Sequence, residues 1–165
     1  MTIYAIMLVV HVLSAVIWLG LLPTDYFFRG EIKKNKNMSG EKKLISLWLK
    51  ISNISGMIGL TGVLVTGFFL TMQFGYGFFQ FADGGGNHWL YTKQFLTVIL
   101  ILIIGILIIP TAKKLRIAIG SELESTNNLS EEVYSNFNKL KNLLTVMNIL
   151  VLVNFLLALS RRFIA

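Results

Sequence analysis

The chain has no cysteine among its 165 residues, only two histidines, eight carboxylates and 14% charged residues in all. Each shortage removes a class of chemistry. Without cysteine there is no disulfide, thiolate metal site, iron–sulfur cluster or thiol nucleophile. Two histidines cannot build a three-histidine catalytic metal site. A soluble domain is about 25% charged, so 14% sets aside an ordinary globular enzyme, a disordered chain and a nucleic-acid-binding tail.

What is present is apolar: 55% hydrophobic residues and a mean hydropathy of +0.69. A bilayer-spanning helix needs roughly 20 such residues in a row. Four segments qualify, about 2–22 (closed by Pro23), 51–73, 89–111 and 142–160. They predict an all-α, integral membrane four-helix bundle forming a single domain over 1–165, with the lipid bilayer as first partner. The first segment has no Lys or Arg before it and no small-residue cleavage site after it, so it does not read as a signal peptide.

The net charge of +7 is unevenly spread. Arg29, Lys33, Lys34, Lys36, Lys42, Lys43 and Lys50 fall between or beside the first two spans; Lys113, Lys114, Arg116, Lys139 and Lys141 fall between the last two. Those twelve basic residues share one face, and the other face holds only Lys93, Arg161 and Arg162. Positive residues stay cytoplasmic, which predicts a multi-pass protein of the bacterial cytoplasmic (inner) membrane with both termini on the outer side. Arg161 and Arg162 run against that rule. The basic balance thus reads as a topology signal, with no nucleic acid as partner.

Between spans two and three, Phe74, Tyr76, Phe78, Phe79, Phe81, Trp89 and Tyr91 surround Asp83-Gly84-Gly85-Gly86. Aromatic residues of this kind favour the headgroup level, so the segment reads as an interfacial girdle, or as a lid over a site open to that side. After Ala112 the third span continues as short helix and breaks near Thr126-Asn127-Asn128. Ser130 with Glu131 and Glu132 then has the pattern of an N-cap and acidic first turn.

Polar groups inside a bilayer are costly and tend to face the bundle interior. On the first span Tyr4, Met7, His11, Ser14 and Trp18 recur at steps of three or four and share one helical face. The imidazole of His11 suits haem iron, copper or zinc, or proton transfer; it can also simply be satisfied by a hydroxyl or amide of another helix. On the second span Ser55, Gly59, Gly62 and Thr66 form a small-residue stripe beside Gly56 and Gly67. Such a stripe permits close helix approach in lipid, or clearance for a flat macrocycle. Lys93 can snorkel to the headgroups or face inward toward a carboxylate such as a tetrapyrrole propionate. Asn148 and Asn154 read as interhelical hydrogen-bonding groups.

Helix rise sets the depths. His11 lies roughly 18 Å above the basic end of its helix, level with Gly62 and with Val153–Asn154, whereas Lys93 lies roughly 30 Å and His88 roughly 37 Å up. A separation of about 19 Å excludes His11 and His88 as two axial ligands of one iron. The options are one histidine with an open sixth position, or His11 paired with its counterpart in a homodimer.

The run His11-Val-Leu-Ser-Ala-Val-Ile-Trp18-Leu-Gly20 resembles the first-helix motif of a group of small bacterial membrane proteins that includes HemJ-type protoporphyrinogen oxidases and CopD-type copper-resistance domains. Val65-Thr66-Gly67 resembles their helix-two element, and Trp89-Leu90-Tyr91-Thr92-Lys93 the HemJ pattern at the start of helix three. The resemblance implies a haem b cofactor and protoporphyrinogen IX as substrate. His11 would be iron ligand or catalytic group and Lys93 the second catalytic position. Ser14, Trp18, Gly59, Gly62, Thr66 and Asn154 would line the cofactor. The chain departs from HemJ late in helix three, where Gly105-Ile-Leu-Ile-Ile-Pro110 replaces a histidine–tyrosine cluster, and at Lys139, where an acid is expected. Haem association is therefore the leading expectation, ahead of porphyrinogen oxidation. CopD-like copper handling and a non-catalytic place in a larger membrane complex stand as alternatives; the six methionines are too scattered for a copper cluster.

Overall fold

Apolar periodicity and helix-favouring side chains carry the chain into long helices. A computed structural model describes residues 3–80, 87–122 and 128–164, the last four without their side chains. The Asp83–Gly86 turn, Phe81, Thr126-Asn127 and the side chains of Arg161 and Arg162 lie outside that description. The helices are α1 (Ile3–Leu19), α2 (Leu21–Lys34), α3 (Glu41–Gln73), α4 (His88–Leu102), a π-helical segment Ile103–Ile108, α5 (Ile109–Glu122) and α6 (Glu131–Ile164). They make four rods long and apolar enough to cross a bilayer, Ile3–Lys34, Glu41–Gln73, His88–Glu122 and Glu131–Ser160. The chain is a multi-pass, all-α membrane protein.

Pro23 does not close the first rod. The break falls at Gly20, and Pro23 sits in the first turn of α2, where the missing N–H costs least. Thr24 Oγ1 donates to the Gly20 carbonyl at 2.7 Å and helps carry the rod on to Lys34. Pro110 likewise lies inside a continuous rod. Its ring crowds the preceding turn, and the chain widens into the π-helical turn Ile103–Ile108 just ahead of it. As expected, α6 opens with Glu131 and Glu132, and the Val133 N–H donates to Ser130 Oγ at 3.4 Å.

All four rods extend well past their apolar spans at the end where the 35–40 and 123–130 connections lie, here called the basic end. Most of the fully buried side chains gather there, Leu100 of α4 being the exception. Ile45, Trp48, Leu115, Val133 and Leu140 are all at or below 2% exposure. Trp48 meets Phe137 edge-on, ring centroids 5.1 Å apart. Beneath them the buried Asp25 carboxylate pairs with the part-buried Arg29 guanidinium at 2.5 Å. Asp25 Oδ1 also accepts from Trp48 Nε1 at 2.9 Å, and Arg29 donates to the Lys141 carbonyl and Thr145 Oγ1, each at 2.7 Å. This network ties α2 to α3 and α6. A second buried carboxylate, Glu41, accepts from the Asn37 N–H and from Tyr134 Oη, joining α3 to α6.

The other half, the terminal end, is built differently. There α1 lies along α3 and α4 along α6, and the two pairs approach each other more loosely. Outward-facing Val9, Val12, Leu13, Val16 and Ile17 of α1 are exposed, the apolar coat that lipid requires. Tyr4 meets Phe74 edge-on at 5.3 Å and Phe68 stacks on Phe78 at 5.4 Å, an aromatic belt at the terminal end.

Candidate functional site

The expected inward face of α1 is the buried one. Ser14 and Trp18 are buried, Tyr4, Met7 and His11 partly so, and the intervening residues are mostly exposed. Against this face α3 presents its small residues, and each glycine is matched to one side chain. A Cβ on Gly59 would fall 2.6 Å from the Trp18 Cβ. One on Gly62 would overlap the Ser14 side chain, and one on Gly67 would lie 3.4 Å from His11 Cε1. The stripe is the seat of α1: its small residues face side chains of the neighbouring helix.

His11 is held by the same surface. Its Nδ1 lies 2.8 Å from Thr66 Oγ1. The Thr66 hydroxyl proton is committed to the Gly62 carbonyl, one turn back on α3. Thr66 Oγ1 must therefore accept from His11, which places the imidazole proton on Nδ1 and leaves the lone pair on Nε2. The Val63 backbone carbonyl on α3 also hydrogen-bonds the imidazole. The depth reckoned from helix rise put Gly62 opposite His11. The structure puts Thr66 and Gly67 there, about one turn higher, because Pro23 and Lys50, taken as level helix ends, are not level: Leu21 already faces Gly56.

The other candidates surround this centre without all touching it. Lys93 is half-buried, close enough for its charge to act on the His11 imidazole. Its Nζ stands 5.9 Å over the Trp89 ring, and no described carboxylate pairs with it. Asn154 donates to Thr97 Oγ1 at 3.1 Å, an α6-to-α4 bond as expected for an interhelical asparagine. Asn148 is buried in α6. His88 is exposed in the first turn of α4.

Three buried polar atoms in this half have no partner among the described residues: Trp18 Nε1, Gln94 Nε2 and Asn154 Oδ1. Buried polar atoms are otherwise almost always satisfied, and Gln94 is bonded at its other end, accepting from the Phe79 N–H at 2.8 Å. A donor from α1, a donor from α4 and an acceptor from α6 thus remain open among the described residues. Among the described residues no group of three His, Cys, Asp or Glu could hold a metal ion.

Sequence reading missed Gln94, Thr97 and the Asp25–Arg29–Trp48 network. Asp25 and Arg29 stand four residues apart, a spacing that pairs them on a helix. Thr97 lies one turn after Lys93 on the same face. No known protein family matches the chain, and no curated protein or solved structure matches it either.

Proposed function

We propose that the protein binds haem b in the interval between the α1–α3 and α4–α6 pairs, with His11 Nε2 as the iron ligand and the sixth position open. The observation that carries this reading is the proton placement at His11. The Gly62 carbonyl fixes the Thr66 hydroxyl and Thr66 fixes Nδ1–H, so Nε2 carries the imidazole lone pair. An imidazole anchored through one nitrogen and open at the other is the usual design of a metal-ligating histidine. The three buried polar atoms left open, and the Lys93 ammonium with no described carboxylate beside it, supply polar contacts for a tetrapyrrole and its propionates. When bound, haem would supply one-electron redox chemistry at its iron. The chain's own residues orient the ligand (Thr66), set its depth (Gly67) and balance carboxylate charge (Lys93). The charge asymmetry supports an orientation with both termini on the outer side of a bacterial inner membrane.

Protein purified after expression with haem supply will show a Soret band. His11→Ala will abolish it, and Thr66→Val will shift it and weaken haem retention by roughly tenfold, the range seen when such orienting partners are removed. A colourless protein at full haem supply overturns the reading. A second reading, porphyrinogen oxidation, is favoured by the reach of the Lys93 charge to His11. Rescue of a strain lacking its own protoporphyrinogen oxidase, lost in Lys93→Gln, tests it; absence of rescue by the unaltered chain rejects it.

A further inference from the structure

A cavity of about 300 Å³ lies at the basic end between α3, α5 and α6, remote from His11. Its walls divide by chemistry. Lys113 and Arg116, three residues apart on α5, line one side, and Ser52 and Asn53 on α3 are also in the wall. Ile108 and Leu144 are among the apolar residues that complete it. No described carboxylate lines the cavity, and the ion pairs among the described residues, Asp25–Arg29 and Lys34–Glu31, involve neither cation. Two positive charges, a hydroxyl and an amide therefore converge on a space with no compensating carboxylate among the described residues.

The depth of the site and its floor identify what fits. Lys113 and Arg116 follow the third apolar span directly, and Ser52 and Asn53 stand at the start of the second, so the polar wall lies at headgroup level. The apolar part runs into the lipid-facing surface through Ile109, which is 58% exposed. The widened turn Ile103–Ile108 ends at Ile108, in the wall itself; such π turns recur at functional sites. We infer that this groove is a binding site for an anionic phospholipid, its phosphate against Lys113 and Arg116 and its glycerol end and first acyl carbons on the apolar wall. Basic pockets between transmembrane helices take such headgroups. A zwitterionic lipid would bring an ammonium to the same two cations and be disfavoured.

The test uses the full chain in detergent, with phosphatidylglycerol and phosphatidylcholine of identical acyl chains and native mass spectrometry as readout. Phosphatidylglycerol is expected to be retained about thirtyfold over phosphatidylcholine, from roughly a kilocalorie for each of the two basic residues. Lys113→Gln/Arg116→Gln will bring that ratio close to one. Lys33→Gln/Lys43→Gln, which removes the same net charge from positions elsewhere on the surface, will leave it intact. Millimolar inorganic phosphate will not displace the lipid. No preference in the unaltered chain, equal loss in both double variants, or displacement by free phosphate each overturns the assignment, the last marking a phosphate site instead.

Discussion

At the scale of single residues, the α1–α3 seam is decided by which side chain each small residue admits. Gly59 lies so close to Trp18 that a β-carbon would sit 2.6 Å from the Trp18 Cβ, far inside contact distance, and the Trp18 Cα is only 3.1 Å away. The obstruction includes backbone, so it cannot swing aside. Gly59→Ala should therefore destabilise by roughly 1–3 kcal/mol through overpacking. Gly30 gives the opposite expectation, because it is exposed in α2 and an added β-carbon would meet nothing within 4 Å. Gly30→Ala should stabilise by about 0.5–1 kcal/mol, because alanine restricts the unfolded chain and favours helix. Thermal melts in one detergent compare the two directly, and equal effects of the same sign would refute the packing argument. Much of this seam was legible beforehand. The steps from Tyr4 to Trp18 named the inward face of α1, and the small residues named the face of α3. What sequence left open was whether the stripe faced a helix or a cofactor, since close approach and empty space demand the same small residues. It also gave no means of ordering two ring nitrogens; that needed the Thr66 hydroxyl and the carbonyl that fixes it.

Among the elements, the parts beyond the apolar spans hold the bundle together. Asp25 is buried and its carboxylate meets Arg29 and Trp48, while Arg29 reaches on to α6 through Lys141 and Thr145. Removing one member of a buried pair leaves the other charge without compensation and costs roughly 3–5 kcal/mol. Arg29→Met is expected to cost that much, since it also severs both bonds to α6. The double variant Asp25→Leu/Arg29→Met removes both charges together and should be less destabilised than Arg29→Met alone. Unfolding midpoints of these two variants and of Asp25→Leu check this; a double variant that loses as much as the sum of the singles would show that the pair is not coupled. These extensions were only partly visible in the chain. Leu115 and Ile119, and Val133, Phe137, Leu140 and Leu144, recur at steps of three or four, but the opposite face is charged. A search for unbroken apolar runs therefore ends each span too early, while the amphipathic pattern continues the helix. Pro23 misled for a related reason. A proline stops a helix from its interior but starts one comfortably, and only the break at Gly20 shows which case applies.

Across the whole molecule the two halves differ in kind: a dense, ion-paired bundle at the basic end and a looser, polar-lined one toward the termini. That division agrees with the charge asymmetry, because a compact basic end beyond the apolar spans suits an aqueous compartment that retains lysine and arginine. On the positive-inside rule, the proposed orientation keeps twelve basic residues on the cytoplasmic side. The shortage that first limited its chemistry makes the orientation easy to test, since a chain without cysteine needs no background removed before single thiols are introduced. Met38→Cys places an exposed thiol in the connection at the basic end, and His88→Cys places one in the exposed first turn of α4 at the other. In intact inner-membrane preparations with the periplasmic face outward, a membrane-impermeant maleimide should label His88→Cys and leave Met38→Cys unlabelled until the bilayer is opened. The reverse pattern would turn the protein over. It would also move the Lys113–Arg116 groove to the leaflet facing the periplasm, and the His11 site would then open nearer the cytoplasm, changing the compartment from which electrons or porphyrins could reach it.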